Sequence, residues 1–167
     1  AAVVHADAPD LEHAAQSVAL GSFAQAGQTC ISTQRVLVHS AVAEDFTGLL
    51  LEATAALGTG DPLDEATVVG PLVSEAAAER VALWVDEAVT AGAEKLCGGV
   101  REGNTYAPTL LSEVTDDMRV WREEVFGPVA TIVPYDELEE ALASVNASRF
   151  GLQAGIFTAD LQVALRA

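Results

Sequence analysis

The chain has 167 residues, 50% of them apolar and 5% aromatic, with 8 basic and 25 acidic side chains giving a net charge of −17. A chain of this length makes one ordinary domain that buries about 70% of the surface its unfolded form exposes, and the shortage of rings means a core of Ala, Val and Leu. So acidic a surface repels phosphate backbones and anionic lipid, which excludes nucleic acid and charged membrane surfaces as partners, and no stretch approaches the ~20 apolar residues of a membrane span.

The first residues, "AAVVHADAP", begin as a short apolar strand that breaks at Asp7, placed to cap a helix with apolar positions at Leu11, Ala14, Ala15, Val18 and Leu20. "RVLVHS" reads as a buried strand, and "AEDFTGLLLEATAAL" as a helix ended by Gly58 and Gly60. The turn-rich "GTGDPLDEATVVGPLV" leads to a long amphipathic helix from Ser74 to Thr90, then to a strand in "AEKLCGG". "NTYAPTLLSEV" and "GPVATIVPY" supply further strand, "DELEEALASVNAS" a helix opened by Asp136, "GLQAGIFT" a strand, and "ADLQVALRA" a last helix. Strand alternating with helix predicts an α/β fold, a mostly parallel sheet covered by helices. Because both ends fall inside predicted elements, the chain is expected to be a piece of something larger.

The N-terminus shows no signal-peptide pattern, and Cys30 and Cys97 belong to no CxxC pair or His/Cys zinc spacing. A reducing, cytoplasmic setting without a metal site is the expectation. Lys95 is the sole lysine, so the acidic balance suits either adaptation to high salt or a genome that prefers Arg.

Cys30 stands in "SFAQAGQTCIS". A reactive cysteine needs partial exposure and oriented N–H dipoles or a cation; Gly27 permits a tight backbone turn, and amides beside the sulfur can face a developing oxyanion. Local sequence alone leaves open the alternative of a small buried packing thiol. Cys97, at the end of a strand expected to be buried, is assigned to packing. His39 offers a conceivable Cys-His dyad of the thiol-hydrolase kind, against a structural role at a strand end. Glu123 and Glu124, taken by themselves, read as a solvated pair ahead of a strand.

"FAQAGQTCIS" resembles the catalytic-cysteine segment of the aldehyde dehydrogenase superfamily, with Phe23, Gly27, Gln28 and Cys30 at the family's spacing. "GDPLDEATVVGPLVS", "APTLL", "EEVFGPV" and "NASRFGLQAGIFT" follow in the family's order, so the resemblance runs from Phe23 to Thr158. It implies that Cys30 is a nucleophile adding to a small aldehyde to give a thiohemiacetal and then a thioester, with its own N–H stabilising the oxyanion. It implies NAD or NADP as cofactor, with Glu124 accepting from the nicotinamide ribose hydroxyls and Phe126 packed near the ring. The Gly-Gln-Thr-Cys segment with "GLQAGIFT" is similar to the branch acting on small polar or phosphorylated aldehydes.

Gln25 and Ser32 depart from the commoner Asn and Ala, and Arg122, before the paired glutamates, is expected to tune the cofactor site. The family's nucleotide-binding domain, its Glu-Leu-Gly-Gly general base and its oxyanion-hole Asn have no counterpart in residues 1–167, nor has its closing oligomerisation strand. Residues 1–167 are therefore expected to be the cysteine-bearing domain alone, inert without those parts, drawn from a homo-oligomeric enzyme. The alternative is a free-standing interaction module or pseudoenzyme.

Overall fold

The computed structural model describes residues 1–167 throughout. Short runs of β-branched residues form the centre of the sheet: β1 (Ala2–Val4), β2 (Arg35–His39) and β7 (Val129–Tyr135) are buried on both faces, the pattern of parallel strands covered on both sides. With β3 (Glu94–Cys97), β6 (Thr109–Ser112) and β8 (Gly155–Phe157) they make a six-stranded sheet in the order β3-β6-β7-β2-β1-β8. Every neighbouring pair is parallel except β3 with β6. The α/β expectation holds.

Successive side chains of a strand face opposite ways, and the helices sort accordingly. Val4, Val36, Val38, Ala130 and Ile132 meet α1 (Leu11–Phe23) and α2 (Ala43–Ala55) on one face. On the other face, Leu111 and Val129 pack under α3 (Glu75–Thr90) and the single turn α4 (Arg119–Arg122). Val3, Leu37 and Tyr135 pack there under α5 (Leu138–Asn146). A hairpin of β4 (Arg101–Glu102) and β5 (Thr105–Tyr106) and the closing α6 (Leu161–Arg166) complete the chain. No helix is long and apolar enough to cross a membrane.

Several expectations need correction. Helix α1 is capped by Asp10, whose carboxylate accepts from His13 N at 2.9 Å; Asp7 instead accepts from Thr158 Oγ1 at 2.7 Å and lies 2.6 Å from His5 Nδ1. Helix α5 is capped by Glu137 in a reciprocal box with Glu140, not by Asp136. Helix α2 stops at Ala55, before the glycines. "NTYAPTLLSEV" is two strands, β5 and β6, because Pro108 cannot donate to a ladder. The strand ending in Cys97 is the sheet's antiparallel edge, with its first half exposed, rather than a buried strand.

Candidate active site

After α1 the chain does not continue helically. Gln25, Ala26 and Gly27 take φ of 54°, 56° and 67°, three successive left-handed residues that only Gly adopts without a cost, about 1–2 kcal/mol for other residues. The turn is held from outside: Gln25 N donates to Val68 O at 3.2 Å, and the Gln28 amide donates to Pro71 O at 3.3 Å and accepts from Val73 N at 2.8 Å. It delivers Cys30 to the surface, exposed and unpaired with Cys97. The amide N–H groups of Thr29, Cys30 and Ile31 donate to no acceptor in the chain. Ser32 Oγ donates back to Ser22 O at 3.0 Å, which accommodates the hydroxyl at this position.

The second segment meets the first through glycine backbone. A Cβ on Gly27 would stand 2.2 Å from Gly127 O, and one on Gly127 would stand 2.6 Å from Val81 Cγ2. The missing Cβ of Gly27 lets the two loops approach this closely, and that of Gly127 lets the second loop lie against Val81 of α3. Phe126, beside the junction, is itself left-handed at φ 47° and 40% exposed. Of the four non-glycine residues with positive φ, three (Gln25, Ala26 and Phe126) lie on the two segments that meet here, the clustering expected of strain retained at a functional site.

Cys30 and Glu124 line one cleft of about 410 Å³ with Trp121, Phe150 and Leu152, and a small notch joins Cys30 to Glu124 and Phe126. The cleft opens at the amino ends of three parallel strands, since Ala1, Arg35 and Ala154 border it where β1, β2 and β8 begin. The two glutamates part company. Glu123 pairs with Arg149 and lies 3.7 Å from Arg122 Nε, whereas the Glu124 carboxylate is exposed with no hydrogen bond or ion pair in the chain. Arg122 faces Glu123 and is not part of the cleft wall.

His39 ends β2, about 13 Å along the strand from Arg35 at ~3.3 Å per residue. Its Nδ1 accepts from Ala41 N at 3.1 Å, and its ring meets His5 and Tyr135 edge-on. It is structural, and the Cys-His dyad is excluded by distance.

Sequence reasoning missed the residues that brace the second segment. Arg35 donates from Nε and Nη2 to Trp121 O at 3.1 and 2.7 Å, with its guanidinium 4.4 Å from the Trp121 ring centre. Gln34 donates to Val120 O and Glu123 O at 2.8 and 2.7 Å and accepts from Val125 N at 2.8 Å. The one hint was two long polar side chains set directly against the apolar run of β2.

The free Glu124 carboxylate offers acceptors to a pair of vicinal hydroxyls, and the exposed Phe126 face offers a planar ring a surface. The residues present thus fit the ribose and ring of a nicotinamide nucleotide.

The sequence profile of the "Aldehyde dehydrogenase family" matches residues 1–167. The chain is 50% identical to the 3-sulfolactaldehyde dehydrogenase of Priestia aryabhattai over 167 residues, 100% of this chain and 35% of that protein. The crystal structure of an NAD-dependent aldehyde dehydrogenase from Sinorhizobium meliloti superposes with a TM-score of 0.94 at 42% identity, over 99% of this chain and 33% of that one. That of an NADP-dependent glyceraldehyde-3-phosphate dehydrogenase from Bacillus halodurans complexed with NADP superposes at 0.93 and 38% identity, over 99% and 34%. This chain therefore spans about a third of the length of the relatives it matches, and by sequence and fold alike it belongs to the aldehyde dehydrogenase family.

Proposed function

We propose that residues 1–167 supply the cysteine half of an NAD(P)-dependent aldehyde oxidation. The observation that supports this best is the Gly27–Gly127 contact, which sets an exposed thiol beside an unpaired carboxylate and an exposed ring in one cleft. Cys30 sulfur adds to the aldehyde carbon, forming a thiohemiacetal whose oxyanion takes a hydrogen bond from the free Cys30 N–H. A nicotinamide dinucleotide, when bound, would accept the hydride lost from that carbon, and the thiohemiacetal would thereby become a thioester. Glu124 would hold the cofactor's ribose and Phe126 its nicotinamide, and the thioester on Cys30 would then be open to water or another acyl acceptor.

Most of the cofactor is held outside these residues, which carry no glycine-rich dinucleotide fingerprint and no Glu-Leu-Gly-Gly segment. Residues 1–167 alone are expected to reduce neither NAD nor NADP. The substrate class favoured is a small, polar or anionic aldehyde, on the strength of the 50%-identical relative. The test uses the full-length polypeptide containing residues 1–167, a panel of sulfonated, phosphorylated and neutral aldehydes, and both cofactors. Mass spectrometry after rapid quenching is expected to find the acyl group on Cys30. Turnover with no adduct at Cys30 overturns the reading.

A further inference from the structure

Phe126 is held in a left-handed conformation that a bulky residue leaves when free to do so, and the segment before it runs irregularly from the end of α4 to β7. Something must fix this loop against β2. The backbone of Gln34, one residue before β2, is tied to β7 through its carbonyl, which accepts from Thr131 N and Oγ1 at 2.8 and 3.0 Å. Its side chain commits both amide hydrogens, to Val120 O and Glu123 O, and its oxygen to Val125 N. Val120 and Glu123 carry carbonyls at and beyond the end of a one-turn helix that makes no continuing bonds for them, and Val125 is fully buried, so its N–H must find a partner.

We propose that Gln34 is a positioning residue whose side-chain amide holds the backbone of residues 120–125 so that Glu124 and Phe126 stay presented to the Cys30 cleft. The proposal rests on the reading of Glu124 as the ribose-binding carboxylate. Few side chains do this work: a planar amide supplies two donors and an acceptor together, Glu supplies acceptors only, and Asn is one methylene too short to reach. Gln34 borders the cleft and the notch, but its side-chain amide is committed to main chain, so it acts through the loop.

The test compares Gln34→Ala, Gln34→Glu and Glu124→Gln in the full-length polypeptide. For both Gln34 variants the cofactor KM is expected to rise about tenfold or more, the aldehyde KM to stay within about twofold, and Cys30 to be alkylated at the wild-type rate without cofactor. Gln34→Glu carries a sharper signature. At neutral pH its carboxylate faces two carbonyl oxygens, and towards about pH 5 protonation returns one donor, so cofactor affinity relative to wild type should recover on acidification. Cofactor KM unchanged in Gln34→Ala, both KM values rising together, no acid-side recovery, or failure of both Gln34 variants to fold each overturns the proposal. If Glu124→Gln raises the cofactor KM and the Gln34 variants do not, only the role of Gln34 falls. If Glu124→Gln leaves it unchanged, the reading of Glu124 itself falls.

Discussion

The two cysteine segments share more than a residue type, and their difference shows what makes a thiol available for chemistry. Each sits by left-handed glycine, Gly27 at φ 67° near Cys30 and Gly98 and Gly99 at 74° and 75° after Cys97. Each glycine presses on another backbone, Gly27 against Gly127 O and Gly98 against Pro108 O, where added Cβ atoms would stand at 2.2 and 2.1 Å. Around Cys97 the polar groups are used up: its Sγ donates weakly to Pro108 O at 3.8 Å, and Gly99 N donates to Thr109 Oγ1 at 2.8 Å. Burial pushes the Cys97 thiol up, only partly offset by a hydrogen bond from the Leu110 backbone. Around Cys30 the amides stay unpaired and the sulfur faces a cleft. Glycine permits the close approach in both places. What it approaches decides whether the thiol is spent on packing or left free.

Serine substitution separates the two most sharply. In the full-length polypeptide Cys30→Ser should lower kcat by more than about a thousandfold, a hydroxyl without a base being a poor nucleophile. Cys97→Ser should leave kcat unchanged and cost about 1 kcal/mol or less in urea unfolding. Equal losses in the two steady-state assays would erase the distinction.

The glycines should then show the shared part of the comparison. Both Gly27→Ala and Gly98→Ala force a Cβ onto a carbonyl at positive φ, and each should destabilise the fold by about 2–4 kcal/mol in denaturant titrations. Only Gly27→Ala should also lower turnover per folded molecule, because it parts the cysteine loop from Glu124 and Phe126. Activity measured well below each melting point tests this, and an equal loss in Gly98→Ala would make the effect one of stability alone.

A smaller contrast lies in alkylation of the folded chain. Iodoacetamide should modify Cys30 at least about tenfold faster than Cys97, since reactivity follows exposure and thiolate fraction. Peptide mapping over time gives the ratio, and comparable rates would place both thiols in the same class.

The smallest effect belongs to the Cys97 side at alkaline pH. Burial, helped by Asp86 and opposed by a hydrogen bond with Thr109, pushes the Tyr106 phenol up to about 12. The folded chain thus keeps a proton that the unfolded chain has released, so this stabilisation is complete at neutral pH and is lost as pH rises from about 10 towards about 12. Tyr106→Phe should flatten the fall of unfolding free energy in that window. The slope should not vanish, because burial and the Asp7 charge also push Tyr135 up to about 12. An unchanged slope in Tyr106→Phe would show the phenol to be freely titrating.

Helices and central strands were legible because their patterns are local: the Val-rich runs of β2 and β7, and the Ser74 cap of α3, whose hydroxyl accepts from Ala77 N at 3.2 Å. Caps with two acidic candidates were misplaced, at Asp7 for Asp10 and Asp136 for Glu137, since either carboxylate satisfies a free N–H and only the loop's path selects one. Motif resemblance singled out Cys30, Glu124 and Phe126, and the structure brings these three to one cleft and notch. Gln34 and Arg35 were not, because their partners lie 86 to 91 residues away for Gln34 and 86 to 109 for Arg35.

By itself the amino-acid sequence determined the α/β class, the acidic surface, the motif residues and the family they resemble, all of which depend on composition and short-range order. Tertiary structure alone decided that Cys97 lies on an edge strand, that His39 ends at the far side of the sheet from Cys30, and that Glu123 is paired while Glu124 is free. Those outcomes depend on strand order and on two loops meeting at Gly27 and Gly127. A contact between distant segments is selected by the packing of the whole sheet and leaves no period in the chain to read.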